Sequence, residues 1–401
     1  MIKRVFILVL DGSGVGALPD AGDYGDLGCN TLSHVALECG PLKIPNLLSL
    51  GLGRVVYLQG TSSLDTFIGA YGKMAESSPG KDTTTGHWEL AGLVLQKPFP
   101  LFPEGFPRDL ISGFEKAIGR KTLGNYAASG TEIIQVLGEE HLKTGSPIVY
   151  TSADSVFQVA AHEEVVPLKT LYEWCLLARE QIFTGDNAVA RVIARPFRGT
   201  PGQFWRTKGR RDFSLPPFSN TLLDLAVEAG YEVWAVGKVK DVFAGKGITR
   251  HLLASDNKSI MKAVSQALRE DFKGILWATL VDFDMLYGHR NDVKGFALAL
   301  EEFDIFLGKI MLSLQKEDLL VITADHGCDP THPGTDHTRE YVPLLVFGDK
   351  VINGPLAIRE SFADLGATVA ELLNTRPTAN GQSFAVELIG QERYLEITGN
   401  Q

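Results

Sequence analysis

Val5-Phe6-Ile7-Leu8-Val9-Leu10-Asp11 and Leu319-Leu320-Val321-Ile322-Thr323-Ala324-Asp325-His326 decide the fold. Both are apolar runs without an alternating polar position, and both stop abruptly at an acid. A strand buried on one face alternates, whereas a continuous apolar run is buried on both faces, the habit of a parallel sheet between helical layers. Runs of the same kind are Ile148–Tyr150 leading into Thr151-Ser152-Ala153-Asp154, Glu232–Val236 into Gly237-Lys238, Trp277–Val281 into Asp282-Phe283-Asp284, and Leu344–Phe347 into Gly348. Helical periodicity separates several of them. Phe296, Leu300, Phe303, Leu307, Ile310 and Leu314 share one face. Ser361 with Asp364 reads as a helix start ahead of Leu365, Val369 and Leu372, and Leu222, Leu225 and Ala226 read as a helix stopped by Gly230. Strands alternating with helices predict a doubly wound α/β core. Ligands of such sheets gather at the carboxyl ends of the strands, where Asp11, Asp284 and Asp325 fall.

At 401 residues the chain exceeds one ordinary core, so two domains are expected. The stretch from Phe99 to Phe218 is rich in Pro, Gly and Arg, bounded by Phe99-Pro100-Leu101-Phe102-Pro103 and Leu215-Pro216-Pro217-Phe218. It reads as a smaller α/β cap, 99–218, inserted into a discontinuous core of 1–98 and 219–401. Consecutive domains are the competing division, but candidate metal ligands lie on both sides of the stretch and must meet in space. A net charge of −10 argues against a nucleic-acid or anionic-membrane partner. The apolar segment at residues 5–10 is too short to span a bilayer, and nothing reads as a signal peptide. Four cysteines, none in a CxxC pair, suit reduced thiols and a cytoplasmic location. A monomer is the default expectation.

Three clusters carry the chemistry: Asp11-Gly12-Ser13-Gly14; Asp284 through His289; and Asp325-His326-Gly327 with His332 through His337. A single Asp at a strand end usually caps a helix. Three acidic clusters, each beside a glycine and each following an apolar strand, point instead to a metal centre. Asp11, Asp284, Asp325, His289, His326 and His337 supply six oxygen and nitrogen ligands suited to Mn²⁺, Mg²⁺ or Zn²⁺, enough for two ions of about three protein ligands each. Without cations the three carboxylates repel each other and raise their own pKa values. His332 is a candidate to support a ligand, and Cys328 reads as a small buried residue. His34, His141, His162 and His251 lack this context and read as ordinary histidines.

Gly80-Lys81-Asp82-Thr83-Thr84-Thr85-Gly86-His87-Trp88-Glu89 offers a hydroxyl nucleophile at a turn opening a helix, and the local pattern leaves the three threonines open.

Together with Val149–Ser155, Ala160–Pro167 and Asp336-His337-Thr338-Arg339-Glu340, these residues resemble the phosphopentomutase family of the alkaline phosphatase superfamily over essentially the whole chain. The resemblance implies interconversion of (deoxy)ribose 1-phosphate and 5-phosphate through a phosphothreonine and a 1,5-bisphosphate. It also implies two Mn²⁺ ions and priming by a sugar bisphosphate. It assigns Asp284, His289 and His337 to one ion, Asp11, Asp325 and His326 to the other, and the phosphoryl group to Thr83. Ser152 and Asp154 match positions that contact the pentose. Arg195 and Arg206, with Arg210 and Lys238 as further candidates, would grip the phosphate that is not transferred. The chain departs from the family pattern at Gly12-Ser13, where Ser-Val is frequent, and at Cys328, where asparagine is. A phosphatase or phosphodiesterase of the superfamily, a metal-dependent phosphoglycerate mutase and a non-catalytic carbohydrate-binding protein are the rival readings. The cap with its Ser152, Asp154 and arginine motifs speaks against the first. A longer chain with a serine nucleophile characterises the second, and the full ligand set weighs against the third.

Overall fold

The computed structural model describes residues 2–61, 66–152 and 154–398; Ala153, in the Thr151–Asp154 stretch named above, lies outside them. The chain forms two compact units, Met1–Lys97 with Pro217–Gln401, and Pro98–Pro216.

The first unit is built on an eight-stranded sheet in the order Arg250–Leu252, Glu232–Val236, Gly274–Leu280, Arg4–Leu10, Asp318–Thr323, Val342–Phe347, Ala70–Met74, Gly354–Pro355. The first five strands are parallel. Every residue of Arg4–Leu10, Gly274–Leu280 and Asp318–Thr323 is buried, as the unbroken apolar runs require. On one face Phe6, Leu8 and Leu10 join Leu32, Val35, Leu300, Phe303 and Leu307 from the helices Thr31–Cys39 and Val293–Met311. The alternate side chains Val5, Ile7 and Val9 are equally buried.

The sheet is mixed rather than wholly parallel. Val342–Phe347 runs antiparallel to both its neighbours. No helix lies between Asp318–Thr323 and this strand, so the chain re-enters from the end it left. The Ile148–Thr151 run belongs to the other unit's sheet and pairs antiparallel with Val156–His162. Two helix limits also differ from the periodicity. The long helix ends at Met311, leaving Leu314 beyond it but still packed on the core. The other helix begins at Ala363, because Ser361 Oγ binds Glu89 and Asp364 accepts from Gln382 N. Leu222–Glu228 opens on a Thr221/Asp224 capping box and stops at Gly230 with φ +84°.

Register delivers the acids to one edge. Leu10 lies opposite Leu280, and Val9 opposite Thr323. Asp11, Asp284 and Asp325 therefore leave neighbouring strands at the same carboxyl end. The opposite edge is pinned by a buried fork. Arg4 Nε and Nη2 donate to Asp318 Oδ1 and Oδ2 at 2.8 and 2.6 Å, and Nη1 to the Leu268 and Glu270 carbonyls at 3.1 and 2.8 Å.

In the second unit a sheet in the order Leu123–Ala127, Ile148–Thr151, Val156–His162, Arg191–Thr200, Gln203–Arg206 also pairs Arg211–Ser214 with Arg191–Ala194. Phe106, Phe114, Phe157 and Phe183 centre its larger core. Among the described residues of the chain, no helix is long and apolar enough to cross a membrane.

Two predictions follow from these contacts. Asp318→Ala leaves the Arg4 guanidinium buried and unpaired, and urea unfolding is expected to register a loss of about 3–5 kcal/mol; an apolar replacement of both residues is expected to recover most of it. In the second unit, buried His141 donates from Nδ1 to Ser146 O at 2.7 Å and accepts His162 N–H at Nε2 at 2.9 Å. Burial, opposed by that carbonyl, holds its pKa below the ordinary 6.5. The unfolded chain then binds the proton that the folded unit refuses, so stability is full above the unfolded value and falls as pH drops below about 6.5. The slope from this group is at most about 1.4 kcal/mol per pH unit, and unfolding of His141→Gln across that range is expected to lack it.

Candidate active site

The helix Thr83–Leu90 brings a hydroxyl to the acidic edge. Asp82 caps it, accepting from Thr84 N at 2.9 Å and Thr85 N at 3.2 Å, and from Thr85 Oγ1 at 2.5 Å. That cap separates the three threonines. Thr84 and Thr85 are buried and Thr85 is committed to Asp82, while Thr83 is half-buried with Oγ1 3.2 Å from His326 Nε2. Gly86 permits the approach, since a Cβ there would stand 2.0 Å from the Asp325 carbonyl oxygen.

The six expected ligands converge as two groups. Asp11 Oδ1 and Asp325 Oδ2 lie 3.5 and 3.4 Å from His326 Nε2. Asp284 Oδ1 and Oδ2 each lie 3.3 Å from an imidazole, His337 Nε2 and His289 Nε2 respectively. The His326 and His337 rings are 4.0 Å apart between centroids, so the groups adjoin. Gly12, at φ +72°, turns the chain back so that its N–H donates to Asp325 Oδ1 at 3.2 Å.

The donor set fits divalent cations. Asp11 Oδ1 and Asp284 Oδ1 are buried carboxylate oxygens that accept no hydrogen bond. His326 Nδ1 donates to Gly327 O at 3.0 Å and His289 Nδ1 to Thr335 O at 2.6 Å. Each Nε2 therefore turns a lone pair toward carboxylate oxygens, an arrangement that needs a cation or a proton between them. At His326 burial, opposed by the Asp325 charge, lowers the pKa to about 4, which favours a cation over the proton there.

The expected mutual repulsion of the acids holds at one position. Burial, then the Asp325 charge, pushes the Asp11 carboxyl well up, with the Lys238 ammonium pulling it back. At Asp284 burial is outweighed by His337 and His289, which hold the carboxyl well below its usual range. Asp325 is likewise held down against burial, by His326, His87 and Lys238. The imidazoles interleaved among the acids account for the difference.

A model of the Metalloenzyme superfamily matches residues 3–377. The phosphopentomutase of Caldanaerobacter subterraneus subsp. tengcongensis is 60% identical over 389 residues, 97% of this chain and 98% of that one. That of Carboxydothermus hydrogenoformans is 57% identical over 390 residues, 96% of this chain and 100% of its own. The chain belongs to the phosphopentomutase family. Among solved structures, the PH0037 protein of Pyrococcus horikoshii aligns over 93% of this chain and 98% of its own, at a TM-score of 0.48 and 17% identity. Leishmania mexicana phosphoglycerate mutase aligns over 96% and 97%, at 0.48 and 14%.

Several residues of these phosphopentomutase-like stretches were not assigned from the sequence. His87, buried, donates from Nδ1 to Thr83 O at 2.9 Å, lies 3.1 Å from Asp325 Oδ2, and accepts from Thr279 Oγ1 at 2.7 Å. It ties the Thr83–Leu90 helix to Asp325 and to the sheet. Arg339 donates to Asp20, Glu76 Oε2 and the Ser78 and Gly80 carbonyls, holding the loop that enters Asp82-Thr83. Glu340 accepts from Gly16 N, Thr31 N, Thr31 Oγ1 and Thr338 Oγ1 at 2.7–3.1 Å. The available signal was a charged pair, Arg339-Glu340, two residues after His337 and just ahead of the apolar strand Val342–Phe347.

Lys238, expected among the cations for the phosphate that is not transferred, lies in the first unit. Its Nζ donates to Thr83 Oγ1 at 3.0 Å and forms an ion pair with Asp11 Oδ2. Cys328 is buried, 3.9 Å from Asp336 O and 4.0 Å from His289 Nδ1, with burial first and Asp284 next raising its thiol pKa. His332 faces Asp26 at 3.9 Å. In the second unit, Arg195 Nε donates to Gln158 Oε1 at 3.0 Å, Arg210 forks onto Asp212 at 2.8 Å, and Asp154 pairs with Arg191 at 3.1 Å. Burial first, and Arg210 and Arg206 among the nearby charges, lower the Arg195 pKa to about 10. Arg206 Nη2 and the Tyr150 hydroxyl crowd Gly130, where a Cβ would meet them at 1.9 and 2.2 Å. Ser152 is half-buried at the end of Ile148–Thr151.

Gly86→Ala is expected to push the Thr83–Leu90 helix off Asp325. Calorimetric titration of divalent cation is expected to show at least about tenfold weaker binding, the scale on which misoriented ligands cost affinity.

Proposed function

We propose that the chain is a phosphopentomutase that moves a phosphoryl group between the 1- and 5-positions of ribose or deoxyribose through phosphorylated Thr83. The observation that carries this reading is the Thr83 hydroxyl, 3.2 Å from His326 Nε2 and 3.0 Å from Lys238 Nζ at the mouth of a capped helix. Asp284, His289 and His337 would hold one divalent ion and Asp11, Asp325 and His326 the other, with manganese the proposed metal. When bound, such ions polarise phosphoryl oxygens and stabilise the attacking and leaving oxygens of an in-line displacement.

The protein's own groups account for the remaining steps. Lys238 donates to Thr83 Oγ1, so its ammonium stands where negative charge gathers as that oxygen leaves or attacks. The positive end of the Thr83–Leu90 helix dipole favours an anion on Thr83, while Asp82 already takes the Thr84 and Thr85 N–H groups. His87 and Asp82 keep the first helical turn from rotating. Ser152 and Asp154 are proposed to bind the pentose hydroxyls. Arg195, Arg206 and Arg210 are proposed to bind the phosphate that is not transferred, Arg forks being matched to phosphate oxygens. A sugar 1,5-bisphosphate would prime the unphosphorylated enzyme. The same bisphosphate would arise in each turnover, giving its other phosphate back to Thr83 before the isomer leaves.

Peptide mass mapping after incubation with a pentose 1,5-bisphosphate is expected to find phosphate on Thr83, with Thr83→Ala retaining cation binding and losing transfer. Phosphate on Thr84, Thr85 or elsewhere, or full activity in Thr83→Ala, refutes the phosphothreonine. Release of free phosphate in place of isomer would identify a phosphatase.

A further inference from the structure

A second cluster of ligating side chains lies apart from the six residues above. We propose that Asp26, Cys29 and His332 form a third cation site, selective for a thiol-seeking divalent ion such as Zn²⁺, Co²⁺ or Cd²⁺. A tight turn, with Cys29 N donating to Asp26 O at 3.2 Å, brings the first two side chains together, both buried. His332 arrives on the loop between His326 and His337, and one ligand atom from each of the three residues lies within 4.8 Å of the others. Ligands about 2.0–2.3 Å from a shared ion stand at most about 4.6 Å apart. A small inward shift of half-buried His332 closes that gap.

The surroundings suit a cation. Beside Asp26 and His332 a cavity of about 210 Å³, lined also by Lys81, Asp329, Asp336 and His337 of the paired groups, leaves room for a water as fourth ligand. Asp26 Oδ2 already accepts from Arg339 N at 2.9 Å, which leaves Oδ1 to the ion, and Lys81 is the mobile competitor for it. Its Nζ touches Asp26 at 3.0 Å and Asp336 at 3.3 Å, so it can release the first and keep the second. Without a cation the thiol stays protonated, burial and then Glu340, Asp329 and Asp26 pushing its pKa up to about 12. Binding therefore replaces the S–H bond by a metal–thiolate bond and releases that proton to solvent. Hard Mn²⁺ prefers the oxygen and nitrogen ligands of the paired groups, which contain no thiolate; the sulfur supplies the selectivity here.

The test is titration of the full chain with Cd²⁺ after saturation with Mn²⁺, reading the ultraviolet thiolate-to-metal charge-transfer band and proton release by a pH dye. We expect a band that saturates at a single equivalent, is lost in Cys29→Ala, is weakened in His332→Gln, and persists in Cys328→Ala. Circular dichroism verifies the fold of each variant. His332→Gln alters a half-buried side chain, and carries the test if Cys29→Ala does not fold. No thiolate band in the unaltered protein overturns the proposal. So does a band unchanged by either Cys29→Ala or His332→Gln. A band lost in Cys328→Ala but kept in Cys29→Ala overturns it too, by assigning the ion to Asp284, His289 and Cys328.

Discussion

Three buried carboxylates, with His326 and His337 buried and His289 half-buried among them, stand at one edge of the parallel strands, and the rest of the first unit depends on that constraint. Such a group does not assemble for stability, because burying charge costs more than ordinary pairing returns. The sheet enforces it. Strand register brings Asp11, Asp284 and Asp325 to one edge, and the buried Arg4–Asp318 fork fixes that register from the other end. Imidazoles between the acids keep Asp284 and Asp325 ionised, while Asp11 leans on Lys238.

Loops this charged would splay apart unless tied. Three further buried groups do the tying, and none of them reaches Thr83. Arg339 gathers the carbonyls of Ser78 and Gly80 with the carboxylates of Glu76 and Asp20. Glu89 accepts from Ser77 N, Ser78 N, Ser361 Oγ and Phe362 N, linking the far end of the Thr83–Leu90 helix to the start of Ala363–Leu372. Glu340 does the same for Gly16 and Thr31. A buried polar network of this kind is rigid, and removing one member strands several partners at once.

What the sequence disclosed, and what it hid, divides along the range of the interactions. The strands with unbroken apolar runs and the helix faces with regular periods were legible, since their pattern is local. The short strand Ala70–Met74, half-exposed along its middle, has no such pattern and exists because Val342–Phe347 offers it an edge. The reversal of Val342–Phe347 was hidden for the same reason: direction follows from the connection, not from the strand's own residues. The ligands were legible as acid-histidine clusters after strands. His87 was not, because a buried histidine inside a helix looks like any core histidine until Asp325 and Thr279 are beside it. Lys238 was legible only as a lysine after a strand; the sheet order, which sets Glu232–Val236 beside Gly274–Leu280, shows it next to Asp11 and Thr83.

That relocation changes the charge arithmetic of the proposed site. Three carboxylates alone would leave one positive charge once two divalent cations bind. With the Lys238 ammonium among them the bare protein carries two negative charges there, and two divalent cations turn this into two positive ones. A phosphate dianion brings the total to zero. A phosphoryl group entering such a site is neutralised without surplus, which favours its capture and also its release to a second acceptor. The cycle proposed for Thr83 would need both, because it gives one phosphoryl group to the sugar and takes the other back.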